Sequence, residues 1–226
     1  MAFTVRFQRD ATAGVCVGVA LPDAPGPSLP RELHPDEAAY ALLLAPARRV
    51  GFVGGRVALR AALAALGARD VGPILATARG APALPAGFVG SVSHKREVAV
   101  AIVAAADDPP RTTVGIDVEI PRVFRYDISD RVLTPGERAT LGALAEPARA
   151  AELLFRFAAK EAIYKALDPW VRRFVAFHEA EIATTPDGGR AATLALARGE
   201  GPFSVSLRDA SADGLVIAEA WISGAG

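Results

Sequence analysis

The 226 residues carry 25 Lys plus Arg against 25 Asp plus Glu, and 51% of them are apolar. That is enough apolar mass for one large or two small packed domains, which excludes a disordered chain. A formal charge of zero with no long basic run excludes a nucleic-acid partner held mainly through its phosphates, so basic residues should act as local devices.

Residues 1–10 mix charge among apolar side chains and contain no signal-peptide core, and the longest apolar run, residues 98–106, is far too short to span a bilayer. The expectation is a cytoplasmic protein outside the membrane. Residues 15–21 read as a strand whose single cysteine, Cys16, excludes a disulfide framework and is simplest as a small buried residue. A proline-rich loop over 22–30 precedes a helix from Pro35 to Leu44, which Pro46 should stop. A longer helix is predicted over 49–66, capped by Gly67. On it Arg49, Arg56 and Arg60 fall on one side, either a solvated face or an anion-binding row. A strand near Ile74 and a Gly/Pro-rich crossing over 79–87, with Arg79 at its start, lead into a β-hairpin of residues 88–95 and 98–104. Ser93, His94 and Lys95 then gather donors at a strand end, where they could hold a phosphate. No Gly-x-Ser-x-Gly turn surrounds Ser93, and neighbours on a strand point to opposite faces, which argues against a Ser-His nucleophile. The proline-punctuated stretch 107–111 marks a boundary, giving halves of 1–110 and 111–226.

In the second half, residues 114–120 alternate so that Asp117 and Glu119 share one face, about 7 Å apart, with Ile116, Val118 and Ile120 on the other. Thr134-Pro135-Gly136-Glu137 is a capping box, so Glu137 is accounted for by capping alone. After a short helix to Leu144 and a break at Pro147, a long helix runs to Leu167. Glu161 falls inside its apolar arc, where a carboxylate needs a cation or donors in place of water. Lys165, one turn on, could supply that charge as an i, i+4 pair. Alternatively the helix docks on the acidic strand, so that Asp117, Glu119 and Glu161 converge on a hard divalent ion, Mg²⁺. Alternating segments at 177–182, 191–196, 203–207 and 215–221 complete an α+β pattern of mostly antiparallel strands, with no dinucleotide or Walker motif and no clear internal repeat.

Gly115-Ile116-Asp117-Val118-Glu119 followed by Phe157-Ala-Ala-Lys160-Glu161-Ala-Ile-Tyr-Lys165 resembles the 4′-phosphopantetheinyl transferases, whose motifs are Gly-Ile-Asp-x-Glu and Trp/Phe-x-x-Lys-Glu-x-x-x-Lys. Leu33-His-Pro-Asp-Glu37, Gly55-Arg56 with Arg60, and Gly90-Ser-Val-Ser93-His94 occur in the family's order, so the likeness runs from about Leu33 to Phe177 and is nearest the monomeric, two-lobed branch serving siderophore and peptide synthetases. The resemblance implies two pseudo-symmetric α+β halves with coenzyme A in a cleft between them. It also implies Mg²⁺ on Asp117, Glu119 and Glu161, phosphate contacts from Lys160 and Lys165, and a nucleotide end held by Ser93, His94 and Arg56. Arg49, Arg60 and Arg79 are further candidates, Arg79 standing in where a basic residue before Pro82 is replaced by Ala81; Phe157 stands where tryptophan is frequent. The implied reaction moves phosphopantetheine from coenzyme A to a serine of an acyl or peptidyl carrier protein. The serine proton leaves directly or through a water on the metal, with Glu161 the favoured base and Glu137 the reserve, and Lys165 and Asp117 complete the catalytic set. Residues 123–126 and 171–174 are candidate carrier contacts. A Mg²⁺-dependent phosphohydrolase and an inactive coenzyme A-binding module are the rival readings.

Overall fold

The computed structural model describes residues 3–24, 29–107, 110–121 and 126–224. The chain forms two compact α+β units, Met1–Pro110 and Arg111–Gly226, and within each an antiparallel sheet is packed by one long helix.

The first sheet has the order β1-β2-β4-β3, built from β1 (Thr4–Ala11), β2 (Gly14–Ala20), β3 (Phe88–His94) and β4 (Val98–Ala105). β1 was not expected, because its Val5 is 51% exposed and its polar residues mask the alternation. Cys16, on β2, has no exposed surface. Between β2 and β3 lie α1 (Pro35–Leu43) and α2 (Pro46–Ala65). Pro46, expected to end one helix, instead begins the next, where its missing N–H costs nothing and its fixed φ suits the first turn. α2 ends in the predicted glycine cap. Gly67, at φ +79°, donates to Ala64 O, and Ala68 N–H reaches back to Leu63 O at 3.0 Å. α2 buries Val53, Val57, Ala58, Leu59, Ala62 and Leu63 against the sheet. Ile74 is fully buried there too, but its segment forms no strand; only the isolated bridge Ala76–Pro82 is present.

The second sheet has the order β5-β9-β8-β7-β6: β5 (Thr112–Glu119), β6 (Ala180–Thr184), β7 (Arg190–Leu194), β8 (Phe203–Asp209) and β9 (Val216–Gly224). α3 (Ser129–Val132) and α4 (Pro135–Gly142) precede α5 (Ala148–Val171). α5 continues four residues beyond its expected end because Pro169 lies in its last turn, where little remains to be broken, and Arg172 closes it at φ 50°. α5 buries Ala158, Ala159, Ala162, Ile163, Ala166 and Leu167 against β9 and its neighbours. Residues 177–179, expected to be strand, make a single 3₁₀ turn before β6. Among the described residues no helix is long and apolar enough to cross a membrane.

Candidate active site

The acidic strand and the Lys-Glu helix, about forty residues apart, are in direct contact. Gly115 on β5 lies so close to α5 that a β-carbon there would sit 2.8 Å from Ala166 N and 2.9 Å from Ala162 C, with Ala162 O nearer still. Thr113 Oγ1 donates to Ala166 O at 2.6 Å and accepts Trp170 Nε1–H at 2.7 Å, fixing the same face further along. Strand alternation therefore turns Asp117 and Glu119 toward the α5 side, and both are buried, at 3% and 1% exposure. Lys165 crosses from the helix, donating from Nζ to Asp117 Oδ1 at 2.7 Å and to Ile116 O at 2.9 Å. Glu161, partly buried, stands one helical turn before it. An ammonium from α5 and two buried strand carboxylates thus occupy one helix–strand seam, with Glu161 one turn away along α5.

In the first unit, the β3–β4 hairpin forms as expected, Ser93 pairing with Val100 and His94 with Ala99. Ser93 is buried and His94 exposed, and the His94 ring lies over α2 where Gly51 leaves room: a β-carbon there would be 2.5 Å from Cε1 and Nδ1. One turn on, Gly55 faces Val92. Arg56, also on α2, donates from Nε to Ile74 O and lies over the Phe52 ring at 4.2 Å; burial lowers its pKa to about 10. Arg79 is exposed at a tight turn closed by Thr77 N–H to Ala81 O at 2.8 Å.

The arginine row is not a solvated face. Arg49 caps the C-terminus of α1, donating to Ala41 O, Leu42 O and Leu44 O. Arg60 grips Glu37 through two bonds, Nε to Oε2 at 2.9 Å and Nη2 to Oε1 at 2.8 Å. Burial alone would raise the Glu37 pKa; the Arg60 bonds together with the N–H groups of Ile74 and His34 outweigh it and lower the pKa. Glu37 closes the capping box of α1 as Glu137 closes that of α4.

Lys160 likewise points into the protein. Its Nζ is 2.6 Å from Glu137 Oε2 and 2.8 Å from Val132 O, and the side chain is 1% exposed. Burial pushes its pKa down, against the pull of Glu137. Glu137 also accepts Ile182 N–H at 2.8 Å and Arg156 Nη1 at 3.2 Å, and Arg156 donates to Ile182 O. With four donors on its two oxygens, Glu137 is a structural hub. Arg156, fully inside this network, is a residue that the sequence analysis did not single out.

The sequence pattern of the 4′-phosphopantetheinyl transferase superfamily matches residues 113–220, and that of the 4′-phosphopantetheinyl transferase N-terminal domain matches residues 36–104. The 4′-phosphopantetheinyl transferase Npt of Nocardia iowensis is 36% identical over 158 residues, covering 70% of this chain and 69% of that protein. The chain belongs to the 4′-phosphopantetheinyl transferase superfamily. Two other phosphopantetheinyl transferases are similar, Svp of Streptomyces mobaraensis (39% identity, 70% of this chain, 63% of that protein) and PptT of Mycobacterium tuberculosis (34%, 68% and 66%). The chain therefore matches just under two thirds of the length of both. The solved Chronobacterium ammoniagenes ACPS–CoA complex aligns with 51% of this chain and 98% of its own at 22% identity and a TM-score of 0.42.

Within this superfamily member, the strand motif is β5 and the helix motif the middle of α5. Its motif glycine, Gly115, is a packing residue that lets the two backbones touch. The carboxylates of Asp117, Glu119 and Glu161 are oxygen donors of the kind Mg²⁺ takes. Among the described residues, no three His, Cys, Asp or Glu side chains are grouped closely enough to hold a metal as they stand, and the Lys165 ammonium is the cation beside Asp117. The donor set fits the ion in kind, and holding it would require the three carboxylates to draw together as well as Lys165 to leave Asp117. Of the candidate carrier contacts, residues 123–125 lie outside the described residues and Tyr126 is 72% exposed. Phe174, 70% exposed, meets Tyr164 in a tilted contact with centroids 5.9 Å apart, whereas Arg173 is held by Glu179 and Glu200.

Proposed function

We propose that the protein transfers the 4′-phosphopantetheine group from coenzyme A to a serine hydroxyl of an acyl or peptidyl carrier protein. The observation that carries this reading is the seam in which Lys165 bridges α5 to Asp117 on β5, in a chain of this superfamily. Attack of the serine oxygen at the phosphorus bearing pantetheine breaks its bond to the bridging oxygen, and 3′,5′-ADP leaves. The barrier for such a step falls mainly through positioning and charge neutralisation. Mg²⁺, held by Asp117, Glu119 and Glu161, would neutralise charge on the pyrophosphate oxygens. Lys165 adds a positive charge beside the transferred phosphoryl group. Glu161, at the edge of the seam and partly desolvated, accepts the serine proton. Ser93, His94, Arg56 and Arg79 receive the nucleotide end of the substrate. Arg49 and Arg60 spend their donors inside the first unit and are left out of the site. Arg172 and Phe174 offer an exposed cation and ring to an acidic carrier helix. The protein works as a cytoplasmic monomer in this reading.

Incubation with coenzyme A, Mg²⁺ and an apo carrier domain tests it by mass spectrometry. The expected result is a gain of one phosphopantetheine group on the carrier serine. Hydrolysis of coenzyme A without carrier gain would instead identify a phosphohydrolase, and binding with no turnover an inactive module.

A further inference from the structure

The two units contain one hub twice. Leu33-His34-Pro35-Asp36-Glu37 opens α1 and Leu133-Thr134-Pro135-Gly136-Glu137 opens α4, one hundred residues apart, and Arg56 and Arg60 on α2 stand one hundred residues before Arg156 and Lys160 on α5. Four of the bonds correspond between the two copies. In each copy the glutamate Oε2 accepts the helix N-cap N–H and the cation 23 residues on, Arg60 in one and Lys160 in the other. In each copy Oε1 accepts an isoleucine N–H, at 2.7 Å from Ile74 and 2.8 Å from Ile182. The carbonyls of the same two isoleucines accept from Arg56 and Arg156.

We propose that Lys160 is a positioning residue, the counterpart of Arg60, that acts through Glu137 and makes no contact with the phosphates of coenzyme A. This departs from what the motif resemblance implies for that lysine. A phosphate contact needs exposed charge, and the Lys160 side chain is 1% exposed against 26% for Lys165. Moving its ammonium to a ligand would also strip a buried carboxylate of one of its two cations. Within the hub, Lys160 ties α5 to Val132 O, to the start of α4 and, through Glu137, to Ile182 of β6. Those ties set the rotation of α5 about its axis. The next residue is Glu161, so releasing them turns the Glu161 and Lys165 face away from β5.

The kinetic part of the test rests on the proposed transfer activity, whereas the unfolding part stands without it. Lys160→Met, Lys160→Arg, Glu137→Gln and the double variant Lys160→Met/Glu137→Gln are compared by thermal unfolding, calorimetric coenzyme A binding and carrier-transfer kinetics. Lys160→Met should lower Tm by roughly 10 °C, as expected for half of a buried ion pair in a chain of this size. It should lower kcat about tenfold or more while Kd for coenzyme A stays within about threefold, the pattern of a group acting on placement and not on ground-state binding. Lys160→Arg should recover Tm and most of kcat, since arginine fills this place in the first unit. The double variant should be no worse than the poorer single variant. A Kd raised about tenfold with Tm unchanged, or additive losses in the double variant, overturns the proposal. Where Lys160→Met fails to fold, Glu137→Gln decides: a parallel fall in Tm and kcat supports the hub, and an unaltered kcat overturns it. Wild-type protein that binds coenzyme A but transfers nothing would refute the transfer reading and leave the unfolding cycle to judge the hub.

Discussion

Gly115→Ala tests whether the seam between β5 and α5 is what makes the site. The added carbon would lie 2.8 Å from Ala166 N and 2.9 Å from Ala162 C, against the 3.4 Å at which ordinary contact begins, so the backbones must separate by at least 0.6 Å (3.4 − 2.8). Ala162 O lies closer than either atom and pushes the separation further. All three atoms are backbone, so no side-chain rotation relieves the clash. Overpacking of this kind costs about 3 kcal/mol, which for a chain of this length corresponds to a Tm lower by roughly 6–12 °C. A shift of that size lengthens the 2.7 Å bond between Lys165 and Asp117, and misplacement of about 1 Å at a reacting centre costs on the order of a hundredfold in rate. Circular dichroism melting and the time course of carrier mass gain measure both effects. A variant melting within about 2 °C of wild type and transferring at a rate within about threefold of it would refute the reasoning, because it would mean that the two backbones can part without consequence for the site.

Asp117→Ala and Glu161→Ala should each lower turnover on the order of a hundredfold, and near-normal rates in either, measured at saturating Mg²⁺ and coenzyme A, would remove that residue from the proposed ion site. Arg56→Ala should raise KM for coenzyme A more than it lowers kcat, while also lowering Tm through loss of the bond to Ile74 O and the stack on Phe52; equal losses in kcat and kcat/KM would take Arg56 out of a binding role. The Arg173 cluster sets a pH dependence: bonds from Arg173 hold the pKa of Glu179 and of Glu200 at about 2, below the usual 4.5. A carboxylate depressed by folding contributes stability that is complete above pH 4.5 and lost as pH falls through 2, so the wild-type Tm should drop across that window and the drop should be shallower in Arg173→Gln. Superimposable Tm curves for the two proteins would exclude the cluster as the cause.

Much of this architecture could be read from local pattern. The hairpin of β3 and β4, the alternation in β5, the capping box at Thr134 and the Gly67 cap each depend on a few adjacent residues whose preferences agree with their surroundings. What escaped was whatever depends on distant partners. Arg49 and Arg60 looked like a surface row because nothing nearby reveals that Glu37 and the carbonyls ending α1 lie opposite them. That Lys160 reaches Glu137 was hidden in the same way, since Glu137 was fully accounted for by its own capping box. The duplication was not clear in the sequence: Leu-x-Pro-x-Glu followed at constant spacing by two cations is a short, thinly spread pattern that gains meaning only when both glutamates are found buried. Ile74 failed as a strand for a related reason: its N–H and C=O are taken by Glu37 and Arg56, which leaves no ladder to join.

The single thiol of this protein is sealed inside β2, with β1 and β4 hydrogen-bonded on either side. It therefore serves as an internal clock for opening of the first sheet. A bulky disulfide reagent can modify Cys16 only in molecules whose strands have parted, so the labelling rate in native buffer reports how often they part. The same seclusion means that coenzyme A derivatives carrying thiol-selective reporters would leave the closed protein unmarked at Cys16, and any label there would count the molecules whose first sheet had opened.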